Sequence, residues 1–146
     1  MPEGYQSVEQ QAFSKELSFP GTLESMGAAR ESIMDFIKEH CPGEDEEIDI
    51  FVALQEALAN AVRHGCQNDS AKMIRCFVEI DPSAFTIAVQ DPGPGFDVAA
   101  VETGNSTVNT TEHGRGIRLM RSLMDDVSYR RGGSEVRLRK LRRVSQ

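Results

Sequence analysis

Residues 84–97 read AFTIAVQDPGPGFD. The first seven are apolar and partly β-branched, which predicts a strand. Asp91 closes that run, and two prolines and two glycines then forbid regular structure. A plain surface turn needs one Gly or one Pro. A carboxylate fixed at a strand end can accept a hydrogen bond from the exocyclic amine of a base. Gly93 and Gly95 remove side chains, so a flat ring can approach the backbone. Pro92 and Pro94 reduce the entropy lost in holding that shape. An ordinary tight turn is the competing reading of the same residues.

Working outward, residues 72–80 (KMIRCFVEI) form a second strand, and Asp81-Pro82-Ser83 makes 72–90 a hairpin. After the glycines, 98–113 (VAAVETGNSTVNTTEH) has no sustained periodicity. A loop of this length is uncommon unless it is a lid or binding loop. Residues 115–126 read as a helix, with Ile117, Leu119, Met120, Leu123 and Met124 apolar. Strands at 127–131 and 134–141 follow, joined by Gly132-Gly133, a two-residue hairpin signal.

Toward the N-terminus, residues 1–11 are polar and expected to be flexible. Residues 12–19 alternate as a half-buried strand carrying Phe13, Leu17 and Phe19 on one face. Thr22 can cap a helix from Leu23 to His40 with Leu23, Met26, Ile33, Phe36 and Ile37 as its apolar stripe. Cys41-Pro42-Gly43 breaks it. The acidic run 44–49 (EDEEID) favours the positive end of a second helix dipole. That helix is expected to reach His64, with Gly65 as its C′ residue and Ile50, Phe51, Leu54, Leu58 and Val62 apolar. The order β α α β β loop α β β predicts an α+β fold. It is a two-layer α/β sandwich, with three main helices on one face of an antiparallel or mixed sheet. Residues 12–146 read as a single domain.

Composition narrows the function classes. At 146 residues, with 39% hydrophobic residues, the chain can bury a core. A net charge of −7 argues against a general nucleic-acid binder or an anionic-membrane binder. The acidic run 44–49 and the basic stretch 130–143 are either solvated faces or two poles for partner docking. Cys41, Cys66 and Cys76 are odd in number and lack CxxC spacing, so a reducing, cytoplasmic setting is expected. The N-terminus has no secretory pattern, and no stretch approaches the roughly 18 apolar residues of a membrane span.

Two further motifs carry chemistry. In QEALANAVRHG (55–65), Glu56, Asn60 and His64 share one helix face at i, i+4, i+8. An amide oxygen suits hydrated magnesium, and a carboxylate one turn away can take a proton from a hydroxyl. A solvated polar stripe is the alternative. In HGRGI (113–117), glycines at a helix start let backbone N–H groups reach phosphate oxygens; alone, a GxG is a weak signal.

Together these three segments resemble the N box and two glycine boxes of the GHKL (histidine kinase-like) ATPase superfamily, which has a Bergerat-type ATP-binding fold. EALANAVRHG and GRGIRLMRSLMDDVSY are most similar to the anti-sigma factor serine/threonine-protein kinases of bacteria. The resemblance implies binding of ATP and Mg2+. It implies Glu56 as general base, Asn60 as magnesium ligand and Asp91 as the adenine-reading group, with Gly93 and Gly95 beneath the base. Gly114, Arg115 and Gly116 match the phosphate side, with 98–113 as the lid. Ser134 stands where many relatives carry a Thr close to adenine. Arg63 and His64 either approach the phosphates or satisfy the helix C-terminus. Sensor kinases carry a phosphorylated His on helices before this domain. Only about eleven residues precede the first strand here, so the acceptor is expected on another protein. The resemblance implies a Ser or Thr of an anti-anti-sigma (STAS-type) partner, a sequestered sigma factor and homodimerisation. A nucleotide-dependent binding switch and an ATPase module of a phosphorelay are the alternatives.

Overall fold

The computed structural model describes residues 11–103 and 111–143. The expected flexible segment therefore lies, but for residue 11, outside the described residues, as do residues 104–110 of the expected lid. The chain runs β1 (Phe13–Pro20), α1 (Leu23–His40), α2 (Glu47–Asn60), a π-helical turn (Ala61–Cys66), β2 (Met73–Ile80) and β3 (Ala84–Gln90). It continues through α3 (Val98–Thr103), α4 (Thr111–Leu123), β4 (Asp126–Arg130), a 3₁₀ turn (Arg131–Gly133) and β5 (Glu135–Leu141).

The strands form one five-stranded sheet in the order β1-β2-β3-β5-β4. Every neighbouring pair is antiparallel, so the α+β expectation holds in its antiparallel form. The period-2 pattern decides which face is buried. Ile74, Cys76, Val78 and Ile80 of β2 face inward beside Phe85, Ile87 and Val89 of β3 and Val136 and Leu138 of β5. They share a core with Ile33 and Ile37 of α1, Leu54 and Leu58 of α2, and Ile117 and Met120 of α4. The helices thus cover one face of the sheet.

Thr22 caps α1 as its side chain type demands: its Oγ1 accepts from the Ser25 N–H at 3.2 Å. Three residues depart from their expected apolar sets, among them Leu119 of α4, which is exposed. Leu23, the first residue of α1, is 48% exposed. Phe51 lies outside the buried Ile50–Leu54–Leu58 row and is covered on its outer side by the Arg30 guanidinium, 5.1 Å from the ring centroid.

Three boundaries differ from the sequence reading. Gly65 is not a C′ residue, because α2 widens after Asn60 into the π turn and the left-handed exit falls on Gln67 (φ 53°). The expected loop 98–113 contains helix α3 and the start of α4, so His113, Gly114, Arg115 and Gly116 lie inside a helix. Glycine propensity argues against a helix there; packing of α4 on α2 overrides it. Finally, β4 and β5 are joined not by two residues but by 131–134. That turn's carbonyls accept from the glycine-rich loop: Phe96 N–H donates to Gly132 O (2.9 Å) and Asp91 N–H to Ser134 O (2.9 Å).

The acidic and basic stretches meet each other in part. Lys140 Nζ lies 3.0 Å from Asp49, and Arg142 pairs with Glu44 at 2.9 Å while donating to the Asp81 carbonyl. Partly exposed pairs of this kind contribute about 0–1 kcal/mol each; their effect is to tie the end of β5 to the start of α2.

The core assignment is tested by two substitutions. Phe85, fully buried, should cost about 3–5 kcal/mol as F85A. Ile48, 75% exposed, should change stability by no more than about 0.5 kcal/mol as I48A. Urea unfolding of the two variants measures both.

Candidate functional site

The strand end and the π turn meet at Asp91. An N–H from Gly93 reaches its Oδ1 at 2.8 Å, and its own N–H is held by the Ser134 carbonyl. Its carboxylate lies directly against Gly65: a Cβ there would be 2.2 Å from Asp91 Cγ. Gly65 is therefore a contact residue rather than a helix stop. Gly95 adopts φ +79° and lies so close to the Gly132 carbonyl that a Cβ would be 2.0 Å from that oxygen. The glycine loop is shaped by packing on the π turn and on the 131–134 turn, a reason beyond leaving room for a ring.

Beside Asp91 opens a cavity of about 520 Å³, within the range of small-ligand sites. Its lining joins Asn60, His64, Asp91, Gly95, His113 and Ser134, from elements far apart in sequence. Apolar walls come from Ala57, Ala61, Val89 and Val136. The small side chains of Ala57 on α2 and Ala61 on the π turn leave this room.

Burial pushes the Asp91 carboxyl above its ordinary proton affinity, and the Gly93 N–H partly opposes the shift. Ser134 is buried, and its hydroxyl donates to the Arg131 carbonyl at 3.0 Å rather than to Asp91. The Asn60 Nδ2 is buried and has no hydrogen-bond partner among the described residues. An orphaned buried amide is costly, and a ligand at this place would satisfy it.

Glu56, Gly93, Gly114, Arg115 and Gly116 are not in the cavity lining. Glu56 and Asn60 are nevertheless adjacent through α4: a Cβ on Gly116 would sit 2.8 Å from Glu56 Oε1 and 3.4 Å from Asn60 Nδ2. Gly114 packs on the Val101 carbonyl, Gly93 packs on Gly65, and Arg115 is exposed. His64 leaves the Glu56–Asn60 row because the π turn begins after Asn60; its ring stacks on His113. Phe96 and Tyr129, which also line the cavity, were not expected from the sequence; His113, a third, was read there as the end of the lid and the first residue of HGRGI, with no role of its own. Phe96 had a signal as the aromatic residue that follows the glycines.

Comparison with known proteins identifies the family and the fold. The family model described as Histidine kinase-like ATPase domain matches residues 19–140. The chain belongs to the histidine kinase-like ATPase family. An Anti-sigma F factor of Halalkalibacterium halodurans is 29% identical over 116 residues, covering 76% of this chain and 78% of that protein. One from Clostridium botulinum (strain Eklund 17B / Type B) is 30% identical over 130 residues, covering 85% of this chain and 91% of that protein. Among solved structures, the RsbU and RsbW domains of Rv1364c from Mycobacterium tuberculosis share the fold, with a TM-score of 0.60 at 17% identity. That match covers 90% of this chain and 32% of the other. A histidine kinase-like ATPase fold implies a nucleotide site. Among the described residues no helix is long and apolar enough to cross a membrane.

Two variants test the Asp91–Gly65 contact. G65A forces a methyl group into the carboxylate and should destabilise the fold by about 1–3 kcal/mol. D91N should not destabilise it at pH 7. The raised proton affinity of Asp91 means that ionisation opposes folding, so stability is lost as pH rises through the folded-state value. The D91N melting temperature should equal or exceed that of the parent at pH 7, and the difference should shrink toward pH 4. Thermal melts across that range measure it.

Proposed function

We propose that this chain is an anti-sigma factor with protein serine/threonine kinase activity. It binds Mg·ATP in the cavity, phosphorylates a Ser or Thr of an anti-anti-sigma (STAS-type) partner and sequesters a sigma factor. The observation that carries the reading is the orphaned Asn60 amide, placed between the Asp91 cavity and the start of α4. Similarity to proteins named Anti-sigma F factor supports the choice of partners.

Asp91, fixed by the sheet, accepts from the adenine amine, and Ser134 and Gly95 line the same end. Asn60 would supply an amide oxygen suited to magnesium, and its Nδ2, which lacks a partner among the described residues, would donate to a phosphate oxygen. Among the described residues no group of three or more His, Cys, Asp or Glu is placed to hold a metal ion. When bound, magnesium neutralises charge across the phosphates. Gly114, Arg115 and Gly116, in the first turns of α4, bring a positive helix end to the phosphate side. Glu56, one turn before Asn60, orients the partner hydroxyl and takes its proton. The hydroxyl oxygen then bonds to the γ-phosphorus, and the bond to the ADP oxygen breaks.

The location of Glu56 outside the cavity lining favours a second reading, a nucleotide-dependent binding switch that transfers nothing. One experiment separates the two. The protein is incubated with labelled ATP and candidate STAS proteins, and any phosphorylated residue is located. Phosphoserine or phosphothreonine on the partner is expected. Tight partner binding without label would establish the switch, and phosphohistidine a phosphorelay role. In the kinase reading, E56A should lower turnover by about 10²-fold or more and leave ATP affinity nearly unchanged; equal loss of both would make Glu56 structural.

Homodimerisation belongs to the same proposal. The sheet's outer face carries a groove lined by Glu16, Arg75, Glu135 and Arg137 among others. Mixed charges of this kind can pair with themselves across a two-fold axis.

A further inference from the structure

Two imidazoles line the cavity, and the reading above gives neither a defined part. His113, in the first turn of α4, is only 5% exposed. One face of its ring lies on His64, with centroids 4.2 Å apart and planes 7° from parallel. Its other neighbour is Phe96, tilted at 4.3 Å, and Phe96 in turn meets Tyr129 edge-on at 5.4 Å. This ladder of rings ties the π turn, α4, the glycine loop and β4 around one cavity. His113 directly precedes Gly114 and stands in the first turn of α4, at the positive end of that helix.

In the free protein His113 is neutral at pH 7. Burial, and secondarily the facing His64, lower its proton affinity to about 4. The other titratable groups lining the cavity are Arg63 on the π turn, Asp91 and Asp97 on the glycine loop, and Tyr129 on β4. On its own helix Arg115 follows two residues later and is exposed.

We propose, resting on the nucleotide reading, that His113 is a phosphate-binding residue that takes up a proton from solvent as the polyphosphate enters. Two stacked imidazoles in a half-dry site disfavour a positive charge. A ligand with several negative charges beside the same ring reverses that preference. The complex then holds one more proton than the separate partners over the pH range between the free-form and bound-form titrations. By linkage, the association constant rises as pH falls through that range, and the rise ends once the free form is itself protonated.

Calorimetry of the full chain with Mg·ATP, Mg·ADP and adenosine tests this at pH 6, in two buffers of different ionisation enthalpy. H113F keeps a ring in the stack and cannot titrate, and H113Q serves if phenylalanine does not fit. Circular dichroism checks that both are folded. Any proton taken up by the nucleotide itself is common to all the proteins and cancels. The parent chain should take up close to one proton more than either variant with the phosphorylated ligands, and none more with adenosine. Its affinity for Mg·ATP, relative to the variants, should rise by up to about tenfold per pH unit on going from pH 7 to pH 5. Equal proton uptake and equal pH slopes in parent and variants would overturn the role of His113 and leave the nucleotide site standing. Extra uptake with adenosine would overturn the phosphate assignment. Failure of the parent to bind Mg·ATP at any pH would overturn the nucleotide reading itself, and this inference with it.

Discussion

The contact between the Asp91 carboxylate and the backbone at Gly65 is the constraint on which the rest of the site depends. It joins the C-terminal end of a central strand to the wide turn that follows α2. Asp91 is held from three sides, by the Gly93 N–H, by the Ser134 carbonyl through its own N–H, and by the bare Cα of Gly65. Each hold needs a particular backbone path. A side chain at Gly65 would fill the place of the carboxylate, and one at Gly95 would strike the 131–134 turn. Once these glycines are fixed, the distance between sheet and α2 is set, and the cavity between them follows.

The same constraint accounts for the π turn. A regular α-helix continued past Asn60 would carry His64 on the row of Glu56 and Asn60. The wider turn instead places Gly65 under Asp91 and swings His64 against His113. Insertions of this type recur at functional sites because they re-aim side chains without ending the helix. Here one irregularity serves two contacts.

Much of the fold could be read from residue pattern. The Thr22 cap, the period-2 alternation of β2 and β3 and the i, i+4 rows of α1 and α2 are local signals; β2, β3 and α1 appear within a residue of where those signals place them, while α2 ends at Asn60 rather than His64. Of the candidate site, the position of Asp91 at a strand end and of Asn60 one turn after Glu56 could be read from residue type and spacing; Asp91 and Asn60 line the cavity, and Glu56 does not. Illegible features had non-local causes. The start of α4 depends on Gly116 meeting Glu56 and Asn60, which glycine propensity cannot reveal. The length of the β4–β5 turn depends on the carbonyls it offers to the glycine loop. His113 looked like the end of a loop because its partners, His64 and Phe96, lie far away in sequence.

The costly groups of this molecule are not scattered at random. Asp91 is charged against its environment, Asn60 has a buried donor without a partner, and His113 is kept neutral by burial; all three line one cavity. Folding alone gives no reason to place them together, because apolar residues of similar size would satisfy the same space at lower cost. A single ligand that offers an amine and a polyanion would compensate all three at once, the amine at Asp91 and the anionic oxygens at the Asn60 donor and at His113. The cavity is therefore destabilised in a pattern complementary to one class of molecule. Binding energy would first relieve those costs, and the elements that carry them, the π turn and α4, would tighten together. Any partner surface that includes α4 would then report the state of the pocket, which is the physical requirement for a regulator whose associations depend on nucleotide.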